Sequence, residues 1–296
     1  MIEWQFEHFK TFTPYEILQQ AAAVLMQYEG ENTDGSNPQM RHLTDDLIVN
    51  TGHPAWMPDR DSENLNVNME GSVFRNKARL FSSFLICVPP DLLSSNGYKK
   101  SVVLTDFGKA LALGKINEEN FYRYIIKKFQ YPHLAFSDYE KWVESGITIR
   151  PLICIIKTLV GLFECAGREE SYITAKEIYK HLQVLENEDC VPAVTAILDD
   201  RKNKIDDKYS SDQIRKINEM LAFLSIAGYV YIDSTDKGQD KYWLNLIRRH
   251  PKEKTMFYLE RSAGGAGTGT KKTKINIIED IYKSLWETSY EKSTIN

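Results

Sequence analysis

Apolar side chains recur every three or four residues through most of this sequence, which is the spacing of amphipathic α-helices. Short runs rich in Val, Ile, Tyr and Trp, bounded by turn residues, predict β-strands. The predicted helices are 14–28, 39–49, 72–85, 106–113, 118–131, 152–163, 174–182, 191–204 and 210–224, and the predicted strands are 102–104, 229–233 and 241–246. The fold class predicted is mainly α with small β-wings, that is, α+β.

Two parts of the chain carry a helix followed by short strands and a turn, in the manner of a winged helix. The sequence therefore predicts tandem winged-helix (helix-turn-helix) subdomains at 72–135 and 136–250. An acidic helical segment with a loop, 1–71, precedes them, and a linker with a C-terminal helix, 251–296, follows.

Several residues mark where helices begin and end. Thr105 and Thr174 are favourable N-cap residues, and Glu177, three places after Thr174, completes a capping box. Pro132 and Gly228 are expected to stop helices. The run 152–163 is apolar nearly all round and is predicted to be a buried helix.

The net charge of −4 by itself argues against a nucleic-acid partner. Its distribution argues for one, since residues 71–135 carry +6 and residues 209–272 carry +4, whereas residues 1–70 carry −9. Both basic blocks fall on the predicted winged helices. Local charge decides what a surface attracts, so this pattern favours DNA binding.

Three motifs occur in a fixed order between residues 101 and 162. Leu104-Thr-x-x-Gly-Lys-x-Leu follows a strand, Gln130-Tyr-Pro ends a helix, and Ile149-x-Pro-Leu opens the apolar helix. This succession resembles the N-terminal recognition region of AlwI-type (type IIS) restriction endonucleases and related nicking endonucleases. The resemblance extends loosely over most of residues 3–250. It implies two winged helices that grip double-stranded DNA between them.

Basic and amide side chains on both units are the expected DNA contacts, because such groups bind phosphates and base edges. Without the resemblance, ordinary solvated helix faces would explain them better. The residues expected near base edges are Arg75, Asn76, Lys77 and Arg79 in the first unit and Gln213, Arg215, Lys216 and Asn218 in the second. Phosphate contacts are expected from Lys99, Lys100, Arg201, Lys202, Lys237 and Lys241, and Asn203, beside Lys202, is also expected to bind DNA.

The resemblance also implies a nuclease site in which Pro-Asp is followed by Asp/Glu-x-Lys and the carboxylates hold a divalent metal. Pro58-Asp59 and Pro90-Asp91 lack the second half at a suitable distance, and Asp206-Asp-Lys208 lies far from both along the chain. We expect no catalytic residue, metal or cofactor in this chain. Mg²⁺ is expected only for a nuclease domain absent from it.

The segment Gly264–Thr273 has the composition of a phosphate-binding loop. Thr270 separates the last glycine from Lys271, however, whereas such a loop needs lysine directly after glycine. A flexible linker is the expected interpretation. A nucleotide-dependent enzyme is the third hypothesis for function.

The first hypothesis is a sequence-specific DNA-recognition domain of a restriction endonuclease, with double-stranded DNA and a nuclease domain or subunit as partners. The alternative is a protein-interaction or sensor subunit of a bacterial defence system, which the acidic residues 1–70 favour. With no signal-like or membrane-length apolar run, we expect a cytoplasmic protein without a membrane partner. The scattered cysteines 87, 154, 165 and 190 are expected to be reduced core thiols.

Overall fold

The computed structural model of this protein describes residues 4, 6, 14–31, 39–52, 81–89, 101–133, 136, 138–203, 211–233 and 240–245. The helices are α1 (Tyr15–Gln27), α2 (Gln39–Thr51), α3 (Asp106–Ala112), α4 (Glu118–Lys128), α5 (Tyr139–Glu144), α6 (Pro151–Ala166), α7 (Ala175–Glu177), α8 (Val191–Asn203) and α9 (Ser211–Ile226). A π-helical turn, Ile178–Leu182, continues α7, and a 3₁₀ turn, Arg168–Glu170, follows α6. The strands are β1 (Tyr172–Ile173), β2 (Val230–Asp233) and β3 (Lys241–Leu244). This is the mostly helical α+β class that the pattern predicts.

The described residues form two units. One contains α1, α2, α3, α4 as far as Ile125, and α5; the other contains Trp4, residues 126–130 and the described residues from Gly146 onward. The sequence placed its boundary after residue 135 and treated residues 1–71 as a separate segment. In the structure α1 packs against both α2 and α3, so the N-terminal helices share one core with α3.

Aromatic rings fill the core of the unit that contains α1 to α5. The Phe121 ring lies 5.8 Å from those of Tyr15 and Phe107 and 6.2 Å from that of Phe84, measured between centroids. Phe121 and Phe84 are fully buried, as the helical spacing of apolar residues requires. The helix predicted over 72–85 is described only from residue 81, and it ends earlier than predicted because Leu85 has a φ of 57°.

The Leu-Thr-x-x-Gly motif forms a capped, tightly packed start to α3. The Thr105 hydroxyl oxygen accepts a hydrogen bond from the Gly108 N–H (2.9 Å) and donates to the Leu85 carbonyl (2.5 Å). A Cβ placed on Gly108 would lie 2.1 Å from the Ile86 carbonyl oxygen. The motif therefore lets the helix approach this backbone more closely than any side chain allows.

Between described residues, the strand predicted at 102–104 is represented by an antiparallel bridge that joins Cys87 to Leu104. The Val88 N–H also donates to the Val103 carbonyl at 2.9 Å. Most of the stretch predicted to form the wing here, including Lys99 and Lys100, lies outside the described residues, as do Ser72 and the helix start.

A nearly all-buried helix, α6, is the centre of the second unit, as predicted from its apolar run. It packs against α8 and against β1 and β3. Among the described residues, no helix combines the length and apolar character needed to cross a lipid bilayer.

The three strands pair in the order β1-β3-β2, and both pairings are antiparallel. Ile173 pairs with Tyr242, and Val230 pairs with Leu244; all four side chains are buried. The strands β2 and β3 were predicted. The sequence missed β1, because two residues before a capping box are too few to show a period.

Three of the four cysteines lie in the core as expected. Cys87, Cys154 and Cys190 are buried, and all four are free thiols. Burial raises the pKa of the Cys87 thiol to about 12, which keeps it protonated. The prediction is wrong for Cys165, which is exposed in the last turn of α6.

The close approach at Gly108 gives a stability prediction. We expect Gly108→Ala to lower the free energy of unfolding by about 2 kcal/mol, because the new methyl group overlaps backbone atoms that cannot rotate away. Urea denaturation measures the change. Gly161→Ala is the matched comparison, since its Cβ would meet a Val194 methyl group at 2.8 Å, a contact with a side chain rather than with the backbone, and we expect it to cost less. Equal effects of the two substitutions would contradict the role of Gly108.

Candidate nucleic-acid interface

The helix α9 presents the predicted polar side chains beside a buried apolar stripe. Arg215 is exposed, with 60% of its side chain accessible, and forms an ion pair with Glu219 at 2.9 Å. Gln213, Lys216 and Asn218 are half-buried, whereas Ile217 is fully buried. The first half of α9 thus has donors and acceptors at the surface of a helix that the core holds in place.

The second unit joins α9 directly to the sheet. Gly228, with a φ of 77°, ends the turn after α9, and β2 begins two residues later. The helix also packs against β2, against α7 and against the π-helical turn. Its position is therefore set by these neighbours rather than by a loop.

The hairpin of β2 and β3 carries Lys241 at the end next to the connection between the strands, where it pairs with Asp233. The Lys241 ammonium lies 4.8 Å from the centroid of the Tyr172 ring, and Trp243 lies between Tyr172 (4.9 Å) and Tyr231 (6.5 Å) on the same face. Lys237, in the connection between the strands, is outside the described residues.

Arg201 lies in a part-buried network of hydrogen bonds and ion pairs instead of projecting as a phosphate contact. Its Nε and Nη2 donate to the two carboxylate oxygens of Glu177 (2.7 and 3.1 Å), and its Nη1 donates to the Glu170 carboxylate (2.8 Å). Nη2 also donates to the Tyr172 carbonyl at 2.6 Å, and the guanidinium carbon lies 3.7 Å from the centre of that ring. Only 12% of the side chain is exposed.

The electrostatics of Arg201 agree with a structural role. Burial acts to lower the pKa of the guanidinium, but the ion pairs with Glu177 and Glu170 outweigh it and hold the pKa above its usual value. Since these partners occupy the donors that a phosphate would need, we remove Arg201 from the expected DNA contacts. The sequence missed this because Glu170 and Glu177 are more than twenty residues away from it along the chain.

The neighbours of Arg201 in the sequence face solvent. Lys202 is 75% exposed, with its ammonium 3.4 Å from the Asp199 carboxylate, and the Asn203 amide donates to the Asp199 carbonyl at 2.9 Å. A surface ion pair of this kind contributes little, so it does not prevent Lys202 from meeting a phosphate.

A family model, the N-terminal part of restriction endonuclease BpuJI, matches residues 100–277, more than half of the chain.

The chain belongs to the BpuJI N-terminal family.

A solved structure is similar to this BpuJI N-terminal family member over its whole length. It is a crystal structure of pyrene- and phenanthrene-modified DNA in complex with the BpuJ1 endonuclease binding domain. The TM-score is 0.58 and the identity is 16%, with 100% of this chain and 91% of that chain covered. At this identity the likeness shows the fold alone. No curated protein matches the chain.

Part of the predicted site of this BpuJI-family chain lies outside the described residues. The site residues in that part, whose roles stay predictions, are Arg75, Asn76, Lys77, Arg79, Lys99, Lys100 and Lys237. The Pro-Asp pairs, the Asp206–Lys208 motif and the Gly-rich segment also lie there. Within the part that the structure describes, no cluster of three or more His, Cys, Asp or Glu side chains could hold a metal ion.

The Arg201 network gives a stability prediction for this BpuJI-family domain. We expect Arg201→Ala to lower the free energy of unfolding by about 3 kcal/mol, because it leaves Glu177 and Glu170 without their shared cation. Chemical denaturation measures this loss. Lys202→Ala, next in the sequence but exposed, should change it by less than about 0.5 kcal/mol. Similar small effects of both substitutions would show that the network contributes no stability.

Proposed function

We propose that this chain is the target-recognition domain of a restriction endonuclease and binds double-stranded DNA in a sequence-specific manner. The observation that carries the proposal is the family match over residues 100–277. The similar solved structure is of a BpuJ1 endonuclease binding domain in complex with DNA, which supports the same kind of ligand.

The topology of the second unit supports a winged helix at 136–250. In it, β1 follows α6 and precedes α7, α8 and α9, α9 leads into β2, and β3 returns between β2 and β1. A winged helix places its recognition helix before such a hairpin, and the hairpin connection is the wing. In our proposal α9 is this recognition helix, and residues 234–240 are the wing.

A second winged helix at 72–135 completes the proposal, together with the AlwI-type resemblance of residues 101–162. Of this unit the described residues contain the bridge between Cys87 and Leu104 and the capped start of α3. Its net charge of +6 over residues 71–135 supports contact with phosphates.

The chemistry of α9 fits the reading of base edges. Amide side chains such as Gln213 and Asn218 can form paired hydrogen bonds with adenine, and Arg215 can do so with guanine. Lys202 and Lys241 add positive charge for the phosphate backbone.

A nuclease domain or subunit is the proposed partner, and cleavage with Mg²⁺ belongs to that partner. The proposed place of action is the cytoplasm.

The direct test uses a random duplex library at two salt concentrations. We expect selection of one short sequence, and weaker binding at higher salt because counterions compete for the phosphates. Removing two positive charges from the predicted winged helix at 72–135, with Arg75→Gln and Arg79→Gln together, should reduce the slope of log affinity against log salt concentration by about 2. The control carries Lys115→Gln and Lys141→Gln, two exposed lysines with the same total charge change.

No binding by the wild-type protein would overturn the proposal and favour the protein-interaction alternative. An equal loss of slope in both double variants would remove Arg75 and Arg79 from the interface.

If α9 reads base edges, substitutions in it should change the preference of the protein for its selected DNA sequence. We expect Gln213→Ala or Asn218→Ala to weaken binding to the selected duplex about tenfold and binding to a scrambled duplex less than twofold. Lys202→Ala, a phosphate-type control, should weaken both duplexes equally. Measurement is by fluorescence anisotropy at fixed salt. A uniform loss for Gln213 and Asn218 would make them backbone contacts.

A further inference from the structure

We propose that Arg201 is a positioning residue for sequence recognition, which fixes the spacing between α9 and the hairpin of β2 and β3. This inference rests on the proposed function and assigns a specificity role to a residue that does not touch DNA.

On the helix side, Arg201 holds the element on which α9 rests. Its two-pronged ion pair with Glu177 joins the last turn of α8 to α7, and α9 packs against α7 and its π-helical continuation. Glu177 is itself fixed, because its carboxylate accepts from the Thr174 N–H (2.8 Å) in the capping box. The guanidinium therefore meets a carboxylate that cannot move without uncapping α7.

On the sheet side, the same guanidinium holds β1. It donates to the Tyr172 carbonyl (2.6 Å) and stacks on the Tyr172 ring, and Lys241 of β3 lies on that ring as well. Tyr172 pairs with Trp243, and Trp243 pairs with Tyr231 of β2. One side chain thus links the support of α9 to all three strands through contacts of known geometry.

Such a link matters because direct reading of bases needs side chains within about 0.5 Å of their productive positions. A recognition helix and a wing must meet the same duplex at a fixed separation. A planar guanidinium that donates in several fixed directions sets such a separation better than a lysine ammonium does, since the latter is a flexible point charge.

The experiment separates positioning from simple stabilisation. Two variants weaken the link: Arg201→Lys keeps the charge but loses the fork, and Glu177→Gln keeps a side chain that can complete a capping box while losing the ion pair. The matched control is Arg150→Lys, because Arg150 forms the same kind of buried fork in this unit, with Glu188 (2.5 and 2.7 Å), at the start of α6.

For each variant we measure the melting temperature and, well below it, the dissociation constants for the library-selected duplex and for a scrambled duplex. We expect Arg201→Lys and Glu177→Gln to reduce the ratio of selected to scrambled affinity about tenfold. Arg150→Lys should lower the melting temperature but keep this ratio within about twofold of wild type.

An unchanged ratio in both link variants, or an equal loss in Arg150→Lys, would overturn the positioning role. If Arg201→Lys does not fold, Glu177→Gln decides alone. A wild-type protein without any sequence preference would instead overturn the proposed function, so the two failures are distinct.

Discussion

An arginine side chain can be buried only where acceptors surround its donors, because an unpaired buried charge costs several kcal/mol. Arg201 meets this condition with two carboxylates and two backbone carbonyls, drawn from the 3₁₀ turn, β1 and α7. The acceptors hold the guanidinium, and the guanidinium in turn holds the acceptors. The acceptors must stay where the guanidinium needs them, so three segments of the second unit become fixed relative to α8.

The same unit contains a second arginine that pairs with a carboxylate through two hydrogen bonds. Arg150, at the start of α6, forks to Glu188, and the Lys157 ammonium donates to the Glu188 carbonyl at 3.0 Å. The central apolar helix is thus tied at its N-terminal end by buried charge and along its length by packing. In the described part of the other unit, a glycine lets α3 touch a backbone segment, and aromatic rings stack in the core.

In the proposed function, local charge on a rigid support matters more than the total charge of the chain. The chain is acidic overall, yet Lys202 and Arg215 stand exposed on helices whose opposite sides are buried. Each has an acidic neighbour on its own helix, at a distance where solvent screens the pair. A phosphate backbone, with its dense charge, can compete with such pairs. This is the physical basis on which a protein of net charge −4 can serve as a DNA-recognition domain.

The sequence by itself determined the helices α1, α2, α3, α4, α6, α8 and α9, the Thr174 capping box and the hairpin strands, because those features depend on periodicity and short-range hydrogen bonds. It also led to the restriction-endonuclease class through motifs of fixed spacing. Only the tertiary structure decided that β1 is a strand, that Cys165 is exposed, and that Arg201 and Lys202, adjacent in the chain, have opposite environments. The environment of Arg201 depends on Glu170 and Glu177, and β1 depends on its pairing with β3. Folding brings these partners together, and local patterns of hydrophobic and charged residues do not encode them.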